Sequence, residues 1–355
     1  MNVLFPIDNP FGFPNPYVAT LINGLKHVNN MIHIDYGVSK FWNSVAHYDI
    51  IHIMWPNNLL YVGKKHYTSA ELQNRCLQLK RENTKIVSTC HNLGPHYDSD
   101  KDDINAYRII YENSALIFHL GHYSLDLFRD RYPSAKQCLL GHHVYDSVYT
   151  KFPTQQTSRE KLGLKPDVKY ILCFGSFRSK EEKRLVGNLS LRLSRRNIRI
   201  IAPSFCFVPK RRNLLKLIPD FLESIYYRIK YPGILGRKWI GVVKDSMLPY
   251  YFSAVDVVLI QRIRILNSGN LPMAFYFEKI VVGPNTGNVG PILTETGNPK
   301  FDASSPSESV QNAVLKGLDL VRSDLGRHNK EYALKYTTDK VSDIINQSYL
   351  SLLKK

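Results

Sequence analysis

No apolar run in this sequence approaches the ~20 residues that a membrane-spanning helix needs, so no such helix is expected. The opening MNVLFPIDNP lacks a basic start and meets Pro6 and Asp8 at once, so no secretory signal is expected either. Cysteine is sparse, with five in 355 residues (Cys76, Cys90, Cys138, Cys173 and Cys206) and no C-x-x-C pair. Four of them sit in or beside apolar runs, which reads as buried free thiols in a reducing compartment. The expected location is the cytoplasm. The composition is neither disordered nor collagenous, and the length suffices for two domains, each with its own core.

Acidic residues are the other shortage. The chain holds 30 Asp and Glu against 47 Lys and Arg, for a formal net charge of +17. Residues 1–150 carry 13 of each sign, which leaves 34 basic and 17 acidic residues in 151–355. A neutral half joined to a basic half implies that the second half faces phosphates, on a ligand, a membrane surface or a nucleic acid.

Apolar or β-branched runs at 2–7, 31–36, 48–55, 85–90, 115–120 and 137–140 alternate with helical spacing at 17–26, 69–83, 104–112 and 124–131. Residues 148–160 (VYTKFPTQQTSRE) are polar and aperiodic, as in a linker. The alternation then restarts, with strands at 169–174, 198–202, 239–243 and 255–260 and helices at 307–322 and about 330–353. This pattern predicts an α/β protein of two doubly wound parallel sheets, with ligands outside the carboxyl ends of the strands. The expected domains are 1–150 and 151–330, with a C-terminal helix at about 331–355 packing back on the first.

Residues 267–290 (NSGNLPMAFYFEKIVVGPNTGNVG) organise the second half. A Ser-Gly-Asn turn opens an apolar helix, and a β-branched strand follows, ending in another Gly/Asn loop. A helix N-terminus presents unpaired N–H groups and partial positive charge, which together suit a phosphate. Gly269 permits close backbone approach, while Ser268 and Asn270 can add side-chain hydrogen bonds. Taken alone, such a turn reads first as an ordinary loop-to-helix junction.

Several segments together resemble the GT-B glycosyltransferases, in particular the retaining family-4 enzymes and their relatives in bacterial polysaccharide assembly. They are NPY at 15–17, DIIHIMWP at 49–56, VSTCHNLGPH at 87–96, LGLKPDVKYILCFGSFR at 162–178 and the 267–290 stretch, in the family's order. The resemblance implies two Rossmann-like domains facing a cleft, the second gripping a UDP- or GDP-sugar and the first an acceptor. It implies that Arg178 contacts the diphosphate together with Ser268, Gly269 and Asn270. Glu181 stands where the family commonly has Lys, so Lys180, Lys183, Arg262 or Arg264 is expected to supply a second charge. Ile265 and Met273 stand where the family has two glutamates, which leaves the ribose to Glu278, Asn285 or backbone groups. On the acceptor side the resemblance implies His91 near the transferred sugar, able to hydrogen-bond or move a proton, with Asn15, Tyr17 and His96 nearby. His142 and His143 occupy a turn that either lines the cleft or packs inside the domain.

The acidic run 98–103 (DSDKDD) contains D-x-D, but it reads as the start of a helix, and neither a metal nor another cofactor is expected. Residues 209–238 interrupt the strand–helix alternation with eight basic and two acidic residues among aliphatics and tyrosines. This basic insertion is either an interfacial segment resting on anionic lipid or a hairpin packed on its own domain. The leading expectation is a glycosyltransferase of bacterial surface-polysaccharide synthesis, cytoplasmic and peripheral on the inner face of the membrane. It would act on a glycan or a polyprenyl-diphosphate-linked acceptor. A sugar-nucleotide epimerase of the same fold is the alternative enzyme, and a non-catalytic basic lipid- or nucleic-acid-binding protein the third reading. No nucleic-acid motif is present, so no nucleic-acid partner is expected.

Overall fold

The computed structural model describes residues 1–12, 15–95, 100–206, 214–236 and 243–354. They form two units, Met1–Val148 with Tyr336–Lys355, and Tyr149–Lys335.

In unit 1 the strands are β1 (Asn2–Phe5), β2 (His33–Tyr36), β3 (Ile50–Ile53), β4 (Tyr61–Val62), β5 (Lys65–His66), β6 (Lys85–Cys90), β7 (Leu116–His119) and β8 (Lys136–Leu139). Six of them make one parallel sheet in the order β2-β1-β3-β6-β7-β8, while β4 and β5 pair antiparallel by themselves. Unit 2 contains β9 (Lys169–Leu172), β10 (Ile198–Ile201), β11 (Ile234–Leu235), β12 (Val257–Leu259), β13 (Ile280–Pro284) and β14 (Lys300–Phe301), again all parallel, in the order β11-β10-β9-β12-β13-β14. Central strands such as Ile50–Ile53 and Val257–Leu259 are buried at every position, because helices cover both faces of a parallel sheet.

Each sheet reverses its direction of growth once. The chain moves outward from β1 to β2 and returns on the other side of β1 as β3. In unit 2 it moves from β9 through β10 to β11 and returns beside β9 as β12. Such reversals leave a crevice at the carboxyl ends of the two strands concerned, the usual ligand position in this architecture.

Helix Thr338–Leu353 belongs to unit 1 and lies against helix Tyr17–Val28. The crossing is close because Gly24 has no side chain: a Cβ there would stand 2.3 Å from Ser342 Oγ. Tyr349, fully buried on this helix, places its hydroxyl 2.5 Å from His52 Nδ1 in β3, and His52 Nε2 reaches Thr89 Oγ1 at 2.7 Å.

Two expectations need correction. The supposed linker at 148–160 contains most of a helix, Gln155–Leu162, capped by Thr154 and ended by Gly163 at φ +65°. Its inward residues are Ser158 and Arg159, so it shows no apolar period. Arg159 donates to Asp256 Oδ2 at 3.0 Å and to the Ala254 carbonyl at 3.0 Å, and Asp256 Oδ2 also accepts from the Tyr170 amide at 2.7 Å. The basic insertion is in large part the ordinary crossover of the sheet, with helix Leu214–Lys230 joining β10 to β11. Strands β11 and β14, of two residues each, are shorter than any apolar run that would announce them. The strand expected at 239–243 lies outside the described residues except for Val243, which is not in a strand.

Cys76, Cys90, Cys173 and Cys206 are buried free thiols and Cys138 is half-buried. Burial pushes the thiols of Cys76 and Cys90 up to about 12, so neither is a nucleophile at neutral pH. Among the described residues, no helix is long and apolar enough to cross a membrane.

Candidate active site

In unit 1 the chemistry-bearing side chains gather around Tyr17, the first residue of helix Tyr17–Val28. Its ring centroid lies 4.7 Å from His91, 4.9 Å from His142 and 4.4 Å from His143. His91 follows β6 directly, and Trp55, two residues beyond β3, stacks on it at 5.3 Å and 27°. Asn15 holds the helix entrance, its Oδ1 accepting from the Tyr17 amide at 3.1 Å and from the Tyr145 hydroxyl at 3.4 Å. Asn15, Tyr17 and His91 therefore come together, but not in equal roles. Tyr17 is 2% exposed and meets the His91 ring edge-on. His96 lies outside the described residues.

The two other histidines are held by hydrogen bonds of their own. Thr20 Oγ1 lies 2.9 Å from the Pro16 and Tyr17 carbonyls and 2.8 Å from His143 Nε2. His142 Nδ1 donates to the His143 carbonyl at 2.8 Å. Burial lowers His142 to about 4 and His143 well below its ordinary value, so both rings are neutral at pH 7. The Tyr17 hydroxyl and His143 Nδ1 are buried polar atoms with no hydrogen-bond partner among the described residues, in a fold where such atoms are few.

In unit 2, three segments converge at the carboxyl ends of β9 and β12. After β9 the chain turns through Gly175 at φ +87°, a conformation that L side chains rarely adopt. The Phe174 carbonyl beside it accepts from Asn270 Nδ2 at 2.8 Å and Gln261 Nε2 at 3.4 Å, and the Ser176 carbonyl accepts from Arg262 Nη2 at 3.2 Å. Asn270 and Arg262 thus tie the Ser-Gly-Asn turn and the loop after β12 to the loop that carries Arg178. The turn opens helix Asn270–Tyr276, with Gly269 at its N-cap in an ordinary helical conformation (φ −64°) and no side-chain cap. The loop after β13 reinforces it: the Asn288 amide donates to the Leu266 carbonyl at 2.8 Å, and Asn288 Nδ2 donates to Asn267 Oδ1 at 2.8 Å. Gly287 at φ +55° would put a Cβ 2.2 Å from the Ile265 carbonyl oxygen, so only glycine fits.

Several expected donor residues are engaged elsewhere. Lys183 pairs with Glu223 at 3.4 Å and lies 4.9 Å from the Tyr227 ring centre, facing helix Leu214–Lys230. Helix Lys180–Ser194 is capped by Ser179 and has Glu181 and Glu182 in its first turn, acids that answer the helix dipole. The Arg178 amide donates to Glu182 Oε2 at 2.7 Å. Asn285 Oδ1 accepts from the Ala303 amide at 3.0 Å, pinning the loop after β14. Glu278 pairs with Lys330 at 2.8 Å and precedes β13, so it stands at the amino edge of the sheet, away from the switch point, and cannot take the ribose there. Met273 is buried. Asp100 and Asp102 of the D-x-D run cap a helix and hold Ser69, and among the described residues no group of three or more His, Cys, Asp or Glu is placed to hold a metal.

Trp55 and Gln261 were not singled out from sequence. Both stand within two residues of the end of a switch-point strand, and that position is the signal that could have found them.

No family model matches the chain. Over 105 residues it is 30% identical to a GDP-mannose:glycolipid 4-beta-D-mannosyltransferase of Xanthomonas campestris pv. campestris, a match that spans 28% of each protein. Three solved structures are similar over nearly all of their length. Sucrose-phosphate synthase from Thermosynechococcus elongatus superposes with a TM-score of 0.72 at 14% identity, covering 99% of this chain and 98% of the other. Anabaena HepE in complex with UDP-glucose gives 0.71 at 12% identity, covering 99% and 100%. UDP-GlcNAc 2-epimerase from Neisseria meningitidis bound to UDP-GlcNAc gives 0.56 at 14%, again covering 99% and 100%. The chain has the GT-B fold, with two parallel α/β units.

Proposed function

We propose that the protein is a glycosyltransferase that takes a sugar from a UDP- or GDP-sugar bound at the β9/β12 switch point of unit 2. The acceptor is a hydroxyl of a glycan or lipid-linked saccharide held by unit 1 around His91, in the synthesis of a bacterial surface polysaccharide on the inner face of the membrane. The bond from the anomeric carbon to the diphosphate oxygen breaks, a bond to the acceptor oxygen forms, and the acceptor proton leaves through His91 or to solvent. Arg178, Arg262 and the amides of the 268–270 turn stabilise the departing diphosphate, where most of the new negative charge of such a transfer develops. The sugar nucleotide is a co-substrate, and no metal is assigned.

One observation carries this reading: Arg262 and Asn270 bind the loop leading to Arg178 into one assembly at the carboxyl edge of a doubly wound sheet. The resemblance to a GDP-mannose-dependent transferase and to a fold seen with UDP-glucose supports it. The fold also occurs in an epimerase, so the deciding assay incubates UDP- and GDP-sugars with and without acceptor. Conversion of donor alone would assign the epimerase, and turnover only with acceptor the transferase. A thermal-shift panel of UDP, GDP, CMP and their sugars identifies the donor, since a ligand bound only by the folded protein raises Tm. Arg178→Ala or Arg262→Ala should weaken that binding by about tenfold to a hundredfold, the worth of one charge-assisted hydrogen bond. Unchanged affinity in both would remove the diphosphate from this site. Activity that persists in excess chelator agrees with a metal-free transfer, and its loss would contradict it.

A further inference from the structure

Helix Leu214–Lys230 is exposed on the wrong face for a water-facing helix. Ile218, Phe221, Leu222, Tyr226 and Ile229 are 57%, 46%, 60%, 53% and 74% exposed, and at 3.6 residues per turn they fall on one side. No charged residue lies within that stripe, whereas the outward face of an ordinary surface helix carries its charges. The opposite side is firmly seated. Ser224 donates to the Cys206 carbonyl at 2.7 Å, and Tyr227 is 4% exposed with its ring 5.7 Å from Phe205. The helix therefore cannot roll over to bury the stripe.

Beside the stripe lies a basic pocket of about 210 Å³ between this helix and helix Lys180–Ser194. Lys180, Arg184 and Lys230 line it with Tyr226 and Tyr227, and its one carboxylate, Glu223, is already paired with Lys183. Lys230 Nζ donates to the Tyr226 hydroxyl at 2.8 Å, so pocket and stripe share a border. An apolar strip edged by cations matches one surface chemically, the boundary between acyl chains and phosphate headgroups. A second copy of this chain fits less well, because the part that bears the stripe also bears the whole excess of positive charge.

We propose that this face docks unit 2 on an anionic phospholipid membrane, with the stripe at the acyl boundary and the pocket taking lipid phosphate. The inference deepens the proposed function, since a lipid-linked acceptor would lie in such a membrane. Docking is measured without donor or acceptor, so its failure and that of the transfer reading are told apart.

The test is co-sedimentation of the full chain with phosphatidylcholine vesicles, with and without phosphatidylglycerol. Binding is expected only with phosphatidylglycerol, weakening as salt is raised. Leu222→Glu with Ile229→Glu, at exposed positions that leave Tm unchanged, should lower partitioning by at least about tenfold. Lys180→Gln and Arg184→Gln should each lower it about fivefold. In Phe221→Trp the added fluorescence should shift to the blue on phosphatidylglycerol vesicles and stay put on phosphatidylcholine alone. Absence of lipid binding, or undiminished binding by the folded double glutamate variant, overturns the proposal. So does a dimer in solution that the same variant dissolves while lipid binding is absent, which would give the stripe to a second copy.

Discussion

Acid should unfold unit 1 long before unit 2, because eleven of the twelve histidines fall in 1–148 and the remaining one, His328, is exposed. His52 and His119 are both 0% exposed. His52 sits between the hydroxyls of Tyr349 and Thr89, and His119 between Ser124 Oγ at 3.1 Å and Gln137 Oε1 at 2.7 Å. Burial lowers them to about 3 and about 4, against an unfolded value of about 6.5. The folded state therefore binds fewer protons than the unfolded one between those limits, and stability present above pH 6.5 is lost as the pH falls through that window. At pH 5 each ring costs ~2 kcal/mol, so the pair removes ~4 kcal/mol from a domain whose total is of order 5–15 kcal/mol. His142 and His143 push in the same direction. Urea unfolding at a series of pH values, followed by hydrogen exchange to separate the units, reads the slope directly. Near pH 5 each ring contributes ~1.3 kcal/mol per pH unit, so His52→Gln should flatten the slope for unit 1 by that amount whatever it does to absolute stability. A slope identical to wild type, or unit 2 unfolding at the higher pH, would refute the reasoning.

Other perturbations follow from single contacts. Asp256→Ala strands Arg159, whose side chain is 11% exposed, and removes the partner of the Tyr170 amide; unit 2 should lose ~3–5 kcal/mol in urea unfolding. Gly141→Ala combines φ +73° with a Cβ 2.2 Å from the Tyr336 ring, and ~2–4 kcal/mol should be lost from unit 1 by the same measurement. Burial lowers Lys279 to about 8, so the unfolded state binds more protons from pH 8 up to the ordinary lysine range, and stability should rise with pH there. Lys279→Met should abolish that rise.

The sheets were legible because their central strands are buried on both faces and so read as unbroken apolar runs, as in YDIIHIMW before Pro56. Helix Gln155–Leu162 was not, because its inward side is Ser158 and an ion-paired Arg159, which hydrophobic periodicity counts as solvent. The site was legible in its loops and not in its pairings. Position on the chain marks His91 as a strand-end residue and puts Arg178 in the loop after β9, but that Lys183 is held by Glu223 and that Trp55 stacks on His91 are facts of proximity between segments 36–40 residues apart.

Helix Leu214–Lys230 shows why sequence left two readings of its region open. In LLKLIPDFLESIYYRIK the apolar residues and tyrosines are numerous enough to surround the axis, so periodicity cannot say which side faces in. Small polar Ser224 decides it: its hydroxyl reaches a carbonyl of the sheet's own loop, which is possible only where the helix backbone comes close. Tyr227 and Tyr231 follow Ser224 inward, and Ile218, Leu222 and Ile229 are thereby turned out. The two readings are therefore not exclusive, since one face packs on the domain while the other stays exposed. A substitution such as Ser224→Leu, too large for that approach, should lower Tm, whereas Ile229→Glu should change only what the surface binds.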